Sequence, residues 1–490
     1  MRWLPLVLAV ALVAGGCGGG DDDDDTSTDD TSTDDTSTDD TSTDGTAASG
    51  DDDAAEVDPS LCPVDALTDA DKPVEIEYWH AMTRANEEEL IRLTDEFNAS
   101  QSDVRVTLSA SPSYPENLTR YTAGLSTDEL PDLYQGEETN LQLLIDSQSI
   151  VPAAACIAAA DYDTSGIIEG VLTRYTVEGI QYAMPFNVSN PILYYNKTAF
   201  TAAGLDPEAP PTTLEEVRET SQAIVDSGVA THGISFKTDA WFTEQWMAKA
   251  GEEYVNNGNG RDARATAVAF DNETGLALYT WLSDMEKDGL LVSTGTGDLE
   301  HYVAIPNNES AMTIDSSAAL GTIFQLFDQG QYANVDLGAA PMPGPASADG
   351  GVLVGGASNY VVNRSSDAEQ AAAWKFAEFL ADEQTQSEWA AATGYIPIRE
   401  ASTTISPLVE RWVEQPELKV AYDQLLAGAD NLATAGPVLG PAGARGEGMR
   451  GAVIDAIAAM FAEGLPPEDA LAQATEGSNE AIEDYNDRVG

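Results

Sequence analysis

An acidic, nearly repetitive stretch from Gly18 to about Ser60 limits what this chain can fold into. It holds 17 Asp or Glu residues, mostly in Asp-Asp-Thr-Ser-Thr repeats, and no Lys or Arg. Because it has almost no apolar residue to bury, conformational entropy opposes folding, and its like charges favour extension. The Asp runs lack the glycine turn and distal glutamate of an EF-hand, so no metal is expected there. We expect a solvated linker over residues 18–60 and a fold confined to the rest of the chain.

The segment before this linker is typical of an export signal. Met1 and Arg2 are followed by the apolar, uncharged run Trp3–Val13. That run is shorter than the roughly 20 residues that span a bilayer, but it has the length of a signal-peptide core. A run of small residues then leads directly into Cys17, and this is similar to the bacterial lipobox. Residues 1–17 therefore predict a lipoprotein signal, lipidation of Cys17 and a protein anchored outside the cell membrane; an ordinary signal peptide is the alternative.

The remaining part, about 430 residues, exceeds one hydrophobic core, so two lobes are expected. It carries 67 acidic against 21 basic residues. This excess excludes nucleic acid as a partner and disfavours binding to anionic membrane surfaces, so contact with the membrane is expected through the lipid anchor. We interpret the charge as a sign of life at high or variable salt, where self-repulsion is screened. A monomer is expected.

Three cysteines and three histidines restrict the chemistry. If Cys17 carries the lipid, two cysteines remain, Cys62 and Cys156. In an exported protein this favours a disulfide between them; two buried free thiols are the alternative. Their neighbouring prolines predict surface segments. The chain has only three histidines, His80, His232 and His301, which are few for a histidine-based metal site or a catalytic triad. Neither a metal nor another cofactor is expected.

The folded part is predicted to be α/β. Val74–Trp79 and Val104–Leu108 have the β-branched and aromatic pattern of strands, and Pro131–Tyr134 begins a third. A helix capped by Asn86 lies between the first two, and Leu118–Leu125 forms another. This alternation predicts a parallel sheet. The last third is helix-rich, over Ala368–Ala381, Gln384–Ala392, Leu408–Leu426, Gly451–Ala462 and Pro467–Arg488.

Several sequence blocks occur in the order found in one protein family. They are Tyr-Trp-His-Ala-Met at 78–82, Met-Pro-Phe-Asn-Val-Ser-Asn-Pro-Ile-Leu-Tyr-Tyr-Asn-Lys at 184–197, Ala-Gly-Leu-Asp-Pro at 203–207, Ala-Met-Thr-Ile at 311–314, Gly-Gly-Ala-Ser at 355–358 and Thr-Gly-Tyr-Ile-Pro-Ile at 393–398. Together they resemble the family 1 extracellular solute-binding proteins of ABC importers, especially the members that bind glycerol 3-phosphate.

The resemblance implies two α/β lobes joined by hinge crossovers that close on a ligand. Lobe one would comprise about 61–186 and 357–396, and lobe two about 187–356 and 397–490. The Pro- and Gly-marked junctions at 185–187 and 355–356 agree, because short junctions between strands can absorb the dihedral changes of a hinge.

The resemblance also implies a set of ligand-binding residues. They are Tyr114, Glu138, Ser189, Trp241, Ser316, Ser317, Gly355, Gly356, Tyr395 and Arg450. One serine and one tryptophan of the family pattern are replaced by Val188 and Thr238. Without the resemblance the same residues have ordinary explanations, because aromatic residues pack in cores, acids are solvated, serines cap helices and glycine pairs form turns.

A glycine-rich segment at 436–451 places Arg445 and Arg450 at the start of a helix. Backbone amides at a helix N-terminus attract anions, and arginine binds phosphate through two parallel hydrogen bonds. The equally weighted alternative is that both arginines neutralise neighbouring acids.

These features predict a non-enzymatic binding protein that delivers a small polar ligand to ABC transporter permease subunits. Glycerol 3-phosphate, a glycerophosphodiester or a sugar is the expected ligand, with a neutral oligosaccharide as the alternative. A secreted glycoside hydrolase would need two carboxylates across a cleft, and a structural surface lipoprotein would not bind a small ligand.

Overall fold

The computed structural model describes residues 57–330, 335–345, 350–440 and 447–489, which belong to one compact unit spanning residues 53–490. The predicted lipidation site Cys17, the predicted linker up to residue 56 and Arg445 lie outside the described residues. Within the described ranges, no helix is long and apolar enough to cross a membrane.

The strands are short and alternate with helices along most of the chain. In chain order they are β1 Val74–His80, β2 Val104–Ala110, β3 Leu133–Glu137, β4 Thr176–Val177, β5 Ile180–Gln181, β6 Met184–Ser189, β7 Pro191–Asn196, β8 Ile234–Phe236, β9 Leu291–Ser293, β10 Met312–Ser316, β11 Leu337–Pro341 and β12 Gly355–Val361.

Helices cover the outer faces and the C-terminal third. They are α1 Ala66–Asp69, α2 Arg84–Ser100, α3 Tyr114–Thr127, α4 Leu141–Ser147, α5 Ala153–Ala160, α6 Glu169–Arg174, α7 Lys197–Ala202, α8 Leu214–Ser227, α9 Ala240–Lys249, α10 Asn256–Gly260, α11 Glu273–Lys287, α12 Glu300–Ala304, α13 Leu320–Asp328, α14 Asp367–Leu380, α15 Glu383–Thr393, α16 Leu408–Glu414, α17 Val420–Ala427, α18 Leu432–Ala435, α19 Gly448–Glu463 and α20 Pro467–Val489.

Two five-stranded sheets form the centres of the two lobes. The first has the order β2-β1-β3-β12-β6 and the second the order β11-β7-β10-β8-β9. The predicted parallel pairing holds for β1 with β2 and β3, but β12 runs antiparallel to both β3 and β6. The sheets are therefore mixed rather than parallel, because the chain leaves the first sheet through β6 and returns to it through β12.

The crossover between the sheets is very short. Strand β6 ends at Ser189 in the first sheet, and β7 begins at Pro191 in the second, so only Asn190 separates them. The Asn190 side chain donates to the Ala421 carbonyl at 2.9 Å and accepts from Gln424 at 3.0 Å. Each sheet has its own cluster of buried apolar side chains. The exact lobe boundaries given above stay predictions.

Three predicted helix boundaries were wrong. The helix α2 begins at Arg84 after Thr83, so Asn86 is not its cap; its amide donates to the Ala318 carbonyl at 3.3 Å instead. The single helix predicted at 408–426 is two helices separated by a 3₁₀ turn that starts at Pro416, since proline cannot donate a helical hydrogen bond. The helix predicted from Gly451 starts three residues earlier.

Cys62 and Cys156 are joined by a disulfide with an Sγ–Sγ distance of 2.02 Å. The expectation that both lie in surface segments was wrong: both cysteines are buried, and Cys156 lies inside α5. The bridge ties α5 to the N-terminal 3₁₀ turn Pro59–Leu61 of the first lobe.

Candidate ligand-binding site

The two strands that join the lobes carry one wall of the candidate site. Ser189 at the end of β6 pairs with Gly355 at the start of β12, and Asn187 pairs with Ala357. Gly356 has a φ of 98°, and a Cβ there would lie 2.1 Å from the Asn187 carbonyl oxygen. Glycine is required at this position because other residues rarely adopt positive φ and because the neighbouring backbone leaves no room.

Two predicted tyrosines meet at this wall. The Tyr114 hydroxyl, at the N-terminus of α3, lies 3.4 Å from the Tyr395 hydroxyl and accepts a 2.8 Å hydrogen bond from the Asn187 amide. Gln135 holds the Asn187 oxygen at 2.8 Å, which fixes the amide orientation. The Tyr395 ring stacks on Trp389 at 5.4 Å. The two rings are thus positioned by buried polar contacts as well as by packing.

Three carboxylates surround Arg450 in the first turn of α19. Its Nε and Nη2 donate to the two oxygens of Glu244 at 2.8 and 2.7 Å, and Nη2 also reaches Glu138 Oε1 at 3.2 Å. The other terminal nitrogen, Nη1, lies 3.6 Å from Glu137 Oε1. We call Glu137, Glu138 and Glu244 the carboxylate cluster. Arg450 therefore links the end of strand β3, in the first lobe, to helices α9 and α19, which lie beside the second lobe.

Burial and mutual repulsion alter the acidity of this cluster. Burial, together with the charge of Glu138, raises the pKa of Glu137 to about 7. Burial also raises the pKa of Glu138, although Arg450 opposes that change. Burial disfavours the charge on Arg450, but Glu244, Glu138 and Glu137 outweigh it and raise the pKa of the guanidinium. Arg450 therefore faces three carboxyl groups, and burial disfavours the charged form of two of them, Glu137 and Glu138.

Glu138 has one oxygen available for a ligand. Its Oε1 accepts from Arg450, whereas Oε2 is buried and has no hydrogen-bond partner among the described residues. The residue is 4% exposed. A buried carboxylate oxygen without a donor is costly, so this atom is suited to accept a hydrogen bond from a ligand hydroxyl.

Trp241 lies at the start of α9 against the hinge strand. A Cβ at Gly355 would come within 2.6 Å of the Trp241 ring, so the bare glycine lets the indole approach the backbone. The ring is only partly buried. It therefore offers an aromatic face next to the glycine pair. Thr238, which replaces the other tryptophan of the family pattern, is buried and bonds to the Ser293 hydroxyl at 3.1 Å.

The serines lie where β6 and β10 end side by side. Ser316 donates to the Ser189 hydroxyl at 3.0 Å. The Ser317 amide donates to the Asn190 carbonyl at 3.0 Å, and its buried hydroxyl has no partner among the described residues. Ser317, like Glu138, therefore has a buried polar atom that could form a hydrogen bond with a ligand.

The structure gathers the predicted residues into linked pairs: Tyr114 with Tyr395, Glu138 with Arg450, Trp241 with Gly355, and Ser189 with Ser316. Asn187 and Glu244 also contact these residues but were not predicted from the sequence as candidate site residues. An acid in the otherwise apolar and aromatic run of α9 was the available signal for Glu244. Over the described ranges, no group of three or more His, Cys, Asp or Glu side chains is arranged to hold a metal ion.

The chain is similar in sequence to known bacterial binding proteins. The sequence model of the family described as bacterial extracellular solute-binding protein matches residues 92–419. The chain is 30% identical over 365 residues to the sn-glycerol-3-phosphate-binding periplasmic protein UgpB of Pectobacterium atrosepticum, covering 73% of this chain and 80% of that protein. It is 28% identical over 368 residues to UgpB of Escherichia coli, with 74% and 82% covered.

Solved structures share the fold. UgpB from Mycobacterium tuberculosis in complex with glycerophosphocholine superposes with a TM-score of 0.69 at 19% identity, covering 84% of this chain and 99% of that one. The cyclic α-maltosyl-1,6-maltose binding protein from Arthrobacter globiformis gives a TM-score of 0.66 at 23% identity, with 84% and 100% covered.

Proposed function

The chain belongs to the bacterial extracellular solute-binding protein family, and from this we propose that it captures a glycerophosphodiester outside the cell and delivers it to an ABC importer. One observation carries the choice of ligand: Arg450 Nη1 lies 3.6 Å from Glu137 Oε1, beyond hydrogen-bond distance, and the same guanidinium contacts Glu138, whose Oε2 has no hydrogen-bond partner among the described residues. A phosphate oxygen would accept from Nη1, and a glycerol hydroxyl would donate to Glu138.

Charge favours a diester over glycerol 3-phosphate itself. A phosphate monoester carries a charge of about −1.5 to −2 at neutral pH, as phosphoserine does, whereas a diester carries only one negative charge. The carboxylate cluster repels both, and in a poorly hydrated site that repulsion is strong. The relatives at 28–30% identity that are named for glycerol 3-phosphate support the glycerol phosphate class.

A neutral oligosaccharide is the second candidate. The carboxylate cluster and the two tyrosine hydroxyls supply hydrogen-bond acceptors, while Trp241, Tyr114 and Tyr395 supply rings that can pack on sugar faces. A sugar would also bring no charge into an acidic site. Its binding would depend on Glu138 and Trp241 but not on the Arg450 charge.

The proposal includes attachment and partners. Lipidation at Cys17, with residues 18–60 as the linker, would hold a monomeric binding domain at the extracellular face of the cell membrane, within reach of the permease subunits. Replacing Cys17 by serine should release the protein from the membrane fraction of its natural host. Recovery of this variant in membranes would contradict lipid attachment.

Titration calorimetry with glycerol 3-phosphate, glycerophosphocholine and maltotriose tests the ligand class. Arg450→Ala alone is unsuitable, because it would leave Glu244, which is 1% exposed, as a buried unpaired charge. We therefore compare Glu244→Gln with the double variant Glu244→Gln plus Arg450→Met. The double variant, unlike the single variant, loses a charge-assisted hydrogen bond to the ligand. Its affinity for the diester should therefore fall roughly tenfold to a hundredfold.

Three outcomes separate the alternatives. Glu138→Gln should weaken every ligand that binds, because both classes donate a hydroxyl to it. If the single and the double variant bind the diester with equal affinity, Arg450 does not take part in ligand binding. If the protein binds maltotriose but neither phosphate compound, its ligand belongs to the sugar class. Mass spectrometry of the recovered ligand should find it intact; hydrolysis would show an enzyme instead.

A further inference from the structure

A largely apolar cavity of about 290 Å³ lies beside the candidate site. We call it the side cavity and define its apolar wall by Tyr194, Tyr302, Ile305, Ala319, Ile323 and Leu337. Thr83, Arg84 and Asn86 at the start of α2 line it from the first lobe. The side cavity is therefore built by both lobes.

The aromatic part of this wall is fixed in position. The rings of Tyr194 and Tyr302 meet edge to face, with centroids 5.3 Å apart at an angle of 88°. The Tyr194 hydroxyl donates to the Ser316 carbonyl at 2.6 Å. Because this polar atom is already paired, the ring is available as apolar surface.

The side cavity adjoins the candidate site through Ser316. This residue lines the cavity and also donates to Ser189, which pairs with Gly355 next to Trp241. Ser316 and Ser189 therefore connect the cavity wall to the glycine pair. Continuity of this kind is expected of two parts of one binding site.

Contacts between the lobes close the side cavity on one side. Asn86 Nδ2 donates to the Ala318 carbonyl at 3.3 Å, and Gln325 donates to Glu88 at 3.0 Å, so α2 is held against α13. Protein interiors are otherwise close-packed, and an apolar cavity of about 150 Å³ is already large enough to hold benzene.

We infer that the side cavity receives an uncharged apolar or aromatic group attached to the ligand, and so decides which esters or glycosides are bound. This inference rests on the proposed function for the polar part of the ligand. It adds that the esterified alcohol, or the aglycone of a sugar, is recognised by hydrocarbon contact. The polar end would be common to all ligands and the apolar end selective.

The test uses a ligand series with one polar part. Affinities for the methyl and phenyl diesters of glycerol 3-phosphate, and for methyl and phenyl β-glucoside, are measured by calorimetry. The phenyl compound should bind at least tenfold more tightly than the methyl compound within the series that binds. Thr322→Phe fills the side cavity from α13 and should abolish this preference while the methyl compound keeps its affinity.

Two controls keep the result decisive. Thr201→Phe places the same ring on an exposed helix and should leave the preference unchanged. Ala318→Leu, a smaller filler, covers the case in which Thr322→Phe does not fold. Equal affinity for methyl and phenyl compounds in the natural protein, or an unchanged preference in the fillers, would overturn the inference.

A direct measurement separates this inference from the proposed function. Fluorine NMR of 4-fluorophenol should show line broadening with the natural protein and none with Thr322→Phe. Broadening without binding of any glycerol phosphate or glucoside would contradict the proposed ligand class but support the side cavity. Absence of broadening would count against the cavity even if the polar compounds bind.

Discussion

Arg264 holds Asp146 with two parallel hydrogen bonds, from Nη1 to Oδ2 and from Nη2 to Oδ1, both 2.7 Å long. Asp146 lies on α4, directly after the turn that carries Glu138, whereas Arg264 lies beside the apolar cluster of the second sheet. Tyr485 on α20 donates to the same carboxylate at 2.6 Å, and α20 packs on α19, which carries Arg450. This contact therefore joins α4 of the first lobe to residues that pack beside the second sheet.

Asp146→Asn should loosen the approach of the lobes. The pair is partly exposed, so the expected loss is about 1 kcal/mol, or roughly a fivefold shift towards open molecules. Small-angle scattering of the ligand-free protein should show a larger radius of gyration. Asp288→Asn breaks the ion pair of Asp288 with Arg218 and is the matched control. An equal change in both variants would contradict the prediction.

Glu137 should make the protein more stable as the pH is lowered through 7. Its pKa is about 7 in the folded protein because of burial and the charge of Glu138, and about 4.3 when unfolded. Folding therefore takes up a proton between these values, so stability rises as pH falls from about 7 to about 4.3. Thermal unfolding from pH 8 to pH 5.5 measures this slope. Glu137→Gln should flatten it, whereas Glu75→Gln on the exposed face of β1 should not.

Gly355→Ala should weaken ligand binding without preventing folding. The new methyl group would stand 2.6 Å from the Trp241 ring and push the indole away from the hinge strand. The backbone of Gly355 does not have a positive φ, so the strain is confined to this contact. Tryptophan fluorescence and calorimetry would detect the change. Gly170→Ala, with no atom within 4 Å of the new methyl group, should alter neither.

Removal of the Cys62–Cys156 disulfide should destabilise the protein. The bridge closes a loop with a sequence separation of 94 residues, for which chain entropy alone predicts about 4–5 kcal/mol. Urea unfolding of the double serine variant measures the loss. Intact mass without a reducing agent checks the premise, and two alkylatable thiols in the mature protein would refute it.

Local pattern was enough to predict several elements of both lobes. The strands β1, β2 and β3 and the helices α14, α15 and α20 lie close to their predicted positions, because their apolar spacing differs clearly between strand and helix. Prediction failed where one residue could take either of two structural roles. Asn86 was expected to cap α2 but contacts the other lobe, and Pro416 divides a helix whose apolar pattern continues on both sides of it.

The order of sequence blocks predicted the family, which the family model confirms, and it suggested the residues of the candidate site, because those residues lie in local motifs that can be read one at a time. The environment of each residue was decided by tertiary structure alone. Arg450 could equally have been free for phosphate or paired with acids, and its partner Glu244 is 206 residues away. The side cavity and the contact between Asp146 and Arg264 likewise join residues from both lobes. Pairing energies and pKa values depend on distances in space, and a sequence specifies those distances only after the chain has folded.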